Sequence, residues 1–195
     1  MIPKSKFINC LLQGKIPEEP PKRDMNSWEL RKIATERNMW ALVSRDWVKV
    51  LAQRIKDKKV LEIMAGAGWL AKALSDEDIE IFATDDYRWA VRNRKLIYDV
   101  KKYDGFKAVR DFKNQYDILL VSWPPYDEEE ICDICKEWGE VKPIIYIGEG
   151  KGGCNAVDEF FEHFNSIEYF DIPQWWGLHD ELTIDYYRKE VNKDV

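Results

Sequence analysis

One stretch of the sequence, residues 59–74, limits the possible folds more than any other. Residues 60–64 form a short apolar run that is typical of a buried parallel strand. Gly66 and Gly68 follow, and glycines let the backbone bend sharply and approach a ligand closely. Residues 69–74 then have the composition of a helix. A strand, a glycine turn and a helix in this order predict the opening unit of a nucleotide-binding α/β domain.

An acidic residue ends the next predicted strand. Residues 79–84 form a second apolar run, and Asp85 follows it about 20 residues after Gly66. A carboxylate in this place can accept hydrogen bonds from both hydroxyls of a ribose. Gly66, Gly68 and Ala71 also match the fingerprint of a dinucleotide-binding turn. The turn therefore indicates a nucleoside cofactor without deciding which one, and a structural turn that binds no ligand is a further interpretation.

The same stretch resembles motif I of class I S-adenosylmethionine (SAM)-dependent methyltransferases, in which an acidic residue precedes alternating glycines. Glu62 falls at the acidic position, and Gly66 and Gly68 fall at the last two glycines. Met64 stands where many members have the first glycine. The resemblance implies that SAM is the cofactor, that Glu62 binds its amino-acid end and that Asp85 binds its ribose. A pyrophosphate would be repelled by the carboxylate of Glu62, which favours SAM over a dinucleotide.

A third strand is predicted at residues 106–109, followed by Arg110 and Asp111. Related methyltransferases often have an acidic residue at the end of this strand, where it bonds the adenine amino group. By its placement alone, Asp111 is assigned the same role through the resemblance.

Residues 122–126, with the sequence SWPPY, follow an apolar run at residues 116–121 that predicts a fourth strand. The segment resembles motif IV of amino-methyltransferases, in which a polar residue precedes two prolines and an aromatic residue. In that family the prolines make the loop rigid, and a polar side chain and a carbonyl accept hydrogen bonds from the target amine. The resemblance implies a nitrogen acceptor that is surrounded by Ser122, Trp123, Pro124, Pro125 and Tyr126.

Trp123 is the point at which the chain departs from motif IV. Adenine methyltransferases have Asp, Asn or Ser directly before the first proline, whereas an indole offers only an N–H donor. Ser122 stands one position too early. Two further interpretations stay open: Trp123 and Tyr126 form walls for a planar or cationic ligand, or the chain binds a ligand without catalysing a reaction.

The last part of the chain predicts how the sheet ends. Residues 143–148 form a fifth apolar run, and Glu149 in the glycine-rich loop after it is a candidate for substrate contact. Residues 167–171 and 182–188 predict two final strands, joined by a loop that contains His179. A terminal antiparallel pair is typical of the methyltransferase fold, and most dinucleotide-binding folds lack it. The resemblance covers roughly residues 59–188 and implies one Rossmann-like, seven-stranded, mostly parallel sheet with helices on both faces.

The beginning of the chain predicts an arm and two helices. Residues 1–25 contain four prolines among charged residues and predict an extended N-terminal arm. Residues 26–195 predict the domain that carries the sheet, with helices from Asn26 to residue 38 and over residues 45–55. A later helix is predicted over residues 89–98, where Arg92 and Arg94 contribute to a basic face.

Composition excludes several classes of partner. The 30 Lys and Arg against 36 Asp and Glu give a formal net charge of -6, which argues against binding to extended duplex nucleic acid. No apolar stretch is long enough to span a membrane, so we expect a cytoplasmic protein with reduced cysteines. Cys132 and Cys135 have no second Cys or His pair nearby, so no metal site is predicted.

These patterns together predict a SAM-dependent methyltransferase that acts on a nitrogen of a small-molecule or nucleobase-like acceptor. One alternative is a catalytically silent protein of the same fold that binds SAM or a partner chain. The other is an NAD(P)-dependent Rossmann oxidoreductase, which would have parallel strands to the end of its sheet.

Overall fold

A single seven-stranded sheet organises the chain in the computed structural model, which describes residues 1–25, 27–89 and 95–189. The strands are β1 (Lys59–Ile63), β2 (Glu80–Asp85), β3 (Lys101–Lys102), β4 (Ile118–Ser122), β5 (Ile144–Glu149), β6 (Phe164–Phe170) and β7 (Asp180–Tyr187). Their order across the sheet is β3-β2-β1-β4-β5-β7-β6. β1 to β5 are parallel, whereas β7 is antiparallel to both of its neighbours, β5 and β6. This confirms the predicted mostly parallel sheet with a C-terminal antiparallel pair.

Helices cover both faces of the sheet. They are α1 (Lys4–Gln13), α2 (Ser27–Thr35), α3 (Arg45–Arg54), α4 (Trp69–Ser75), α5 (Gly105–Phe112), α6 (Glu130–Trp138) and α7 (Asp158–Glu162). Successive side chains of a strand point to opposite faces, so Leu120 of β4 joins the core under α1 to α4. Its neighbour Leu119 joins the core under α5 to α7. Both faces of the central strands are therefore covered by helices, which explains why these strands appear in the sequence as apolar runs.

The N-terminal segment differs from its prediction. An extended arm is wrong for Lys4–Gln13, which forms α1 and buries Phe7 and Leu11 against the sheet domain. Gly14 ends this helix in the left-handed conformation, with its backbone N–H bonded to Leu11. Phe7 and Leu11 are four residues apart, which is a helical spacing, although four prolines lie in the same segment. The division of the chain at residue 25 stays a prediction.

The third predicted strand is also wrong, because residues 106–109 lie inside α5. The side chain of Asp104 accepts a hydrogen bond from the backbone N–H of Lys107 at 2.9 Å and thereby caps this helix. Ala108 and Val109 face the core while their polar neighbours face outwards. The strand at this edge of the sheet is instead the two-residue β3, which pairs with the end of β2.

The loop between β6 and β7 holds the segment before α3 in place. Trp175 is fully buried, and its ring meets Phe7 edge to face at 6.0 Å. Its indole N–H donates to the carbonyl of Trp40 at 2.9 Å. On the other side, the indole N–H of Trp69 donates to the carbonyl of Arg37 at 2.8 Å. Residues 37–40 are therefore fixed from two directions beside the turn that follows β1.

Two sequence predictions fall outside the described residues: the helix start at Asn26, and the central part of the helix over residues 89–98 with Arg92 and Arg94. Within the described ranges, no helix is both long and apolar enough to cross a membrane.

Candidate functional site

A cavity of about 360 Å³ opens at the carboxyl ends of β1, β2 and β4. Open α/β sheets bind their ligands at this edge. Predicted residues from both halves of the sequence meet there. The lining includes Met64, Gly66 and Asp85 on one side, and Trp123, Pro124, Pro125 and Tyr126 on the other.

The glycine turn has two glycines with different tasks. Gly66 has φ 60°, lines the cavity and donates its backbone N–H to the Asp85 carboxylate at 2.8 Å. Gly68 has φ 83°, and an added Cβ there would lie 2.7 Å from Tyr98 and 2.8 Å from Val100. Contacts this short would force Tyr98 or Val100 to move, so chain packing by itself requires a glycine at position 68. Among the described lining residues, Gly68 is absent.

Asp85 occupies the end of β2 with its carboxylate in a fixed orientation. One oxygen accepts the N–H of Gly66, and the other accepts the N–H of Tyr87 at 2.8 Å. A carboxylate oxygen can accept more than one hydrogen bond, so the group can also receive ribose hydroxyls. The geometry is consistent with the role that the sequence predicts for Asp85.

A second, smaller cavity of about 30 Å³ lies beside the first and contains two buried polar groups. Glu62 is 1% exposed, and its Oε2 accepts no hydrogen bond from any described residue. Asn38 is 5% exposed, and its Nδ2 likewise finds no acceptor in the described part of the chain. Buried polar atoms without partners are costly, and in a native protein each one requires an explanation. An acceptor and a donor that face one small cavity match a ligand with the opposite pair of groups.

The electrostatics of Glu62 point in the same direction. Burial raises the pKa of its carboxyl to about 8, the charge of Asp85 adds to this rise, and a hydrogen bond from the Ala71 backbone opposes it. Without a ligand beside it, the carboxyl of Glu62 is therefore neutral at neutral pH. A cationic group beside it would restore the ionised form.

Asn38 is a residue that the sequence analysis missed. It follows α2 in a left-handed conformation with φ 54°, which Asn tolerates better than most residues. Its backbone lies so close to Gly66 that an added Cβ at the glycine would be 3.1 Å from the Asn38 carbonyl. The contact joins segments that are far apart in the sequence, so no local pattern could have indicated it.

Met64 stands at the position of the first motif glycine and has a left-handed backbone conformation. Its φ is 56°, which costs an L-residue with a long side chain roughly 1–2 kcal/mol. The side chain lines both cavities. The departure from the motif therefore adds an apolar side chain to the cavity lining.

Trp123 is held in an unusual conformation at the end of β4. Its φ is 52°, and its backbone N–H donates to the carbonyl of Ile147 at 2.8 Å. The indole stacks on Trp40 with a centroid distance of 6.1 Å and an angle of 24°. The guanidinium of Arg31 lies over the Trp123 ring, 5.4 Å from its centroid. Ser122, one position earlier, lines the smaller cavity beside Glu62 instead.

A buried carboxylate, Asp180, lies behind Trp123 and was not predicted. Asp180 begins β7 and is 1% exposed, and neither of its side-chain oxygens has a hydrogen bond of normal geometry to a described residue. Burial raises the pKa of this carboxyl to about 7, and the charge of Glu149 contributes to the rise. The indole N–H of Trp123 and the charge of Arg31 oppose it. Trp123 therefore has a negative or proton-binding group at its back.

Glu149 holds its own loop together instead of facing the cavity. Its carboxylate accepts the backbone N–H of Cys154 at 3.0 Å and that of His179 at 3.2 Å. Cys154 and Asn155, which follow in the loop, are the residues that line the cavity. Burial and the hydrogen bond to Glu149 raise the pKa of the Cys154 thiol to about 11, so the thiol is protonated at neutral pH.

Asp111 is not among the described residues that line the two cavities, so the structure gives no support to its predicted role. It lies in the last turn of α5, because the strand that should have carried it is a helix. Its carboxylate accepts a hydrogen bond from the hydroxyl of Tyr103 at 2.5 Å and pairs with Arg110. Tyr103 and Gly105, which precede and begin α5, line the cavity where Asp111 was expected.

The mouth of the cavity is aromatic and acidic. Trp40, Trp89 and Tyr126 are exposed large side chains that line it. Arg88 also lines it, but its guanidinium pairs with Asp86, Glu130 and Glu128. Three carboxylates around one guanidinium leave this part of the mouth with a negative charge.

Comparison with known proteins gives matches to solved structures alone. No protein-family model matches the sequence, and no curated protein sequence matches it. The mitomycin 7-O-methyltransferase MmcR superposes with a TM-score of 0.53 and 13% identity, over 83% of this chain and 60% of that one. A protein from Nostoc punctiforme PCC 73102, described as an O-methyltransferase, superposes with a TM-score of 0.50 and 14% identity, over 92% of this chain and 66% of that one. The chain has a methyltransferase fold.

Within this methyltransferase fold, the chain brings most of its predicted site residues to one edge of the sheet. This chain spans less than two thirds of the length of either matched protein. At such low identities the likeness concerns the fold, so the chemistry has to be argued from the site itself. The predicted residues at the two cavities are Glu62, Gly66, Asp85, Ser122, Trp123, Pro124, Pro125 and Tyr126.

Proposed function

We propose that this protein is a SAM-dependent methyltransferase that acts on nitrogen. The observation that carries the proposal is the pair of buried groups without partners, Glu62 Oε2 and Asn38 Nδ2, beside the glycine turn. An α-amino acid presents an ammonium group and a carboxylate on one carbon. The ammonium group would restore the charge of Glu62, and the carboxylate would accept from Asn38.

The remaining parts of SAM also find matching groups. Asp85 offers carboxylate oxygens to a ribose, and Gly66 permits the close approach of the nucleoside. The volume of about 360 Å³ lies near the lower end of the range for ligand cavities of roughly 300–1,000 Å³. SAM supplies a methyl group on a sulfonium, which is a good leaving group.

The contribution of the chain to transfer is then position and orientation. Pro124 and Pro125 fix the loop that follows β4, and Trp123 and Tyr126 form walls that can hold a flat acceptor. Placing two reactants in line converts a bimolecular reaction into an effectively unimolecular one. No acidic or basic side chain is required at the reacting atoms for this effect.

Two features disfavour an NAD(P)-dependent oxidoreductase. β7 is antiparallel inside the sheet, whereas the oxidoreductase interpretation requires parallel strands to the end. In addition, a pyrophosphate at the glycine turn would be repelled by the charge of Asp85 and would offer no hydrogen-bond donor to Glu62 Oε2.

Calorimetry and label transfer test the proposal. We expect S-adenosylhomocysteine (SAH) and SAM to bind to the purified protein, and NAD not to bind. Labelled SAM should then transfer its methyl group to an acceptor in a panel of planar nitrogen compounds. Binding of NAD in place of SAH would refute the proposal. Binding of SAH with no transfer to any acceptor would support a catalytically silent binding protein. The tryptophan at position 123, where motif IV has a hydrogen-bond acceptor, favours this alternative.

A further inference from the structure

On the side of the cavity near Trp123, the described side chains include no free carboxylate, imidazole or amine. Asn155 uses both ends of its amide, because Oδ1 accepts the N–H of Glu149 and Nδ2 donates to the hydroxyl of Tyr146. Trp123 offers only a donor, and its N–H faces away from solvent beside Asp180. The Cys154 thiol holds its proton at neutral pH. Among the described residues that line this side, none has a carboxylate or an imidazole.

The carboxylates that do line the cavity are on the other side and are engaged. Asp85 accepts two backbone N–H groups, and Asp86 pairs with Arg88. Both belong to the β2 side, where the ribose is proposed to bind. An acceptor held near Trp123 therefore reacts without any described carboxylate, imidazole or amine to remove its proton.

The same region favours positive charge. The exposed rings of Trp40 and Tyr126 present π faces that attract cations, whereas the Trp123 ring is already covered by the guanidinium of Arg31, whose charge Asp180 offsets. Asp180 lies behind Trp123, and the carboxylates around Arg88 lie at the mouth. A phosphorylated or otherwise anionic acceptor would be repelled by these groups, whereas a flat cation would be stabilised.

From these observations we infer that the methyl acceptor is a pyridine-type nitrogen in a flat heteroaromatic ring, and that the product is a permanent cation. The inference rests on the proposed methyltransferase function and narrows its acceptor. The lone pair of the ring nitrogen forms the new N–CH₃ bond as the S–CH₃ bond breaks, and the electron pair of that bond stays on sulfur. The positive charge passes from sulfur to nitrogen. No proton is gained or lost, so the reaction needs no base.

Acceptors that must lose a proton are less suited to this side of the cavity. An alkyl amine is protonated at neutral pH and must lose a proton before its nitrogen can attack. A hydroxyl must lose its proton during or before attack. A ring nitrogen has its lone pair available, and the aromatic walls stabilise the charge that it acquires.

Three probes of similar size test the inference: isoquinoline, the alkyl amine 1,2,3,4-tetrahydroisoquinoline and 2-naphthol. With labelled SAM, isoquinoline should receive the methyl group and form N-methylisoquinolinium, and the amine and the alcohol should react at least about tenfold more slowly, as expected when general base assistance is missing. In a separate binding experiment with SAH present, N-methylisoquinolinium should bind about tenfold more tightly than isoquinoline because of its contacts with the rings.

Variants connect the binding preference to the wall. Trp40→Leu, at an exposed position, should abolish the preference for the cation, and Tyr126→Leu, also at an exposed position, serves the same purpose if the first variant does not fold. Tyr169→Leu is the matched control, because Tyr169 is an exposed aromatic residue of β6 outside the cavity. The control should bind both probes as the unmodified protein does.

The outcomes separate this inference from the function on which it rests. If SAH does not bind, the proposed function fails and the inference fails with it. If SAH binds but 1,2,3,4-tetrahydroisoquinoline or 2-naphthol is methylated faster than isoquinoline, the function stands and the inference is overturned. Equal affinity for isoquinoline and its methylated cation would overturn it as well, whether or not turnover is observed.

Discussion

The backbone N–H of Gly66 donates to the carboxylate of Asp85 at 2.8 Å, and this bond ties the glycine turn to the end of β2. The two residues belong to different sequence motifs that the fold brings together. The charge of Asp85 also reaches Glu62 and contributes to the raised pKa of that carboxyl. One hydrogen-bonded pair therefore sets both the shape and the charge of the proposed cofactor site.

The first prediction concerns proton release on binding. The pKa of Glu62 is raised to about 8, so the carboxyl is protonated in the ligand-free protein at neutral pH. The ammonium group of SAH favours the ionised form, so binding should release close to one proton at pH 7 and less above pH 8. Calorimetry in buffers with different ionisation enthalpies measures this number. Glu62→Gln should release none, and an equal release from that variant would contradict the assignment.

The same carboxyl should make stability depend on pH. Between the ordinary value of 4.5 and the raised value of about 8, Glu62 binds a proton in the folded chain and not in the unfolded chain. Its contribution to stability is therefore complete below pH 4.5 and is lost as the pH rises through 8. Compared with the unmodified protein, Glu62→Gln should gain stability across this window in urea unfolding. A difference that does not change with pH would argue against a buried, titrating Glu62.

Asn38 should distinguish ligands with and without an amino-acid end. SAH carries an α-carboxylate, whereas 5′-methylthioadenosine has the same nucleoside and lacks it. A hydrogen bond to a charged group contributes about 1.5–3 kcal/mol, so Asn38→Ala should weaken SAH binding at least about tenfold. Binding of 5′-methylthioadenosine should not change. Equal losses for both ligands would show that the substitution disturbs the turn rather than a contact with the carboxylate.

Asp180 should report its ionisation through Trp123. Burial raises its pKa to about 7. The charge of Glu149 adds to this rise, and the indole N–H of Trp123 and the charge of Arg31 oppose it. The emission of the neighbouring indole should therefore change with a midpoint near pH 7. This transition should disappear in Asp180→Asn and, separately, in Trp123→Phe. Its survival in either variant would assign the signal to another tryptophan or another titrating group.

A pair of glycines separates packing from backbone conformation. Gly68 and Gly177 have φ values of 83° and 79°, so alanine at either position pays about 1–2 kcal/mol for the left-handed conformation. At Gly177 an added Cβ meets nothing within 4 Å, whereas at Gly68 it meets Tyr98 and Val100. Gly68→Ala should therefore lose about 1–3 kcal/mol more in chemical unfolding. Equal losses would mean that the neighbours of Gly68 move aside without cost.

Local patterns predicted the parts of the fold that local chemistry determines. The apolar run ending at Met64, the turn at Gly66 and the carboxylate at Asp85 lie where the sequence places them. The antiparallel end of the sheet was predicted by the resemblance to the methyltransferase fold, because the local patterns indicated two final strands without fixing their direction. In α5 the capping residue Asp104 was a usable signal, and the short apolar run after it was misread as a strand.

The other parts of the site depend on contacts between distant segments. Asn38 reaches the glycine turn because Trp69 and Trp175 hold the chain on either side of it. Asp180 lies behind Trp123 because β7 is paired with β5. Neither residue belongs to a recognisable sequence motif. Both are distinguished by buried polar atoms that have no hydrogen-bond partner among the described residues, which only the structure shows.

The position of β7 has a consequence for the order in which the chain matures. The ribosome makes this strand after the other six, yet it occupies an interior place between β5 and β6. Until it has emerged, β5 is an open edge with unpaired backbone groups, and β6 has no partner in the sheet. A nascent or truncated chain that contains β6 and lacks β7 is thus most prone to aggregation, and Asp180 reaches the back of Trp123 only once β7 has paired with β5.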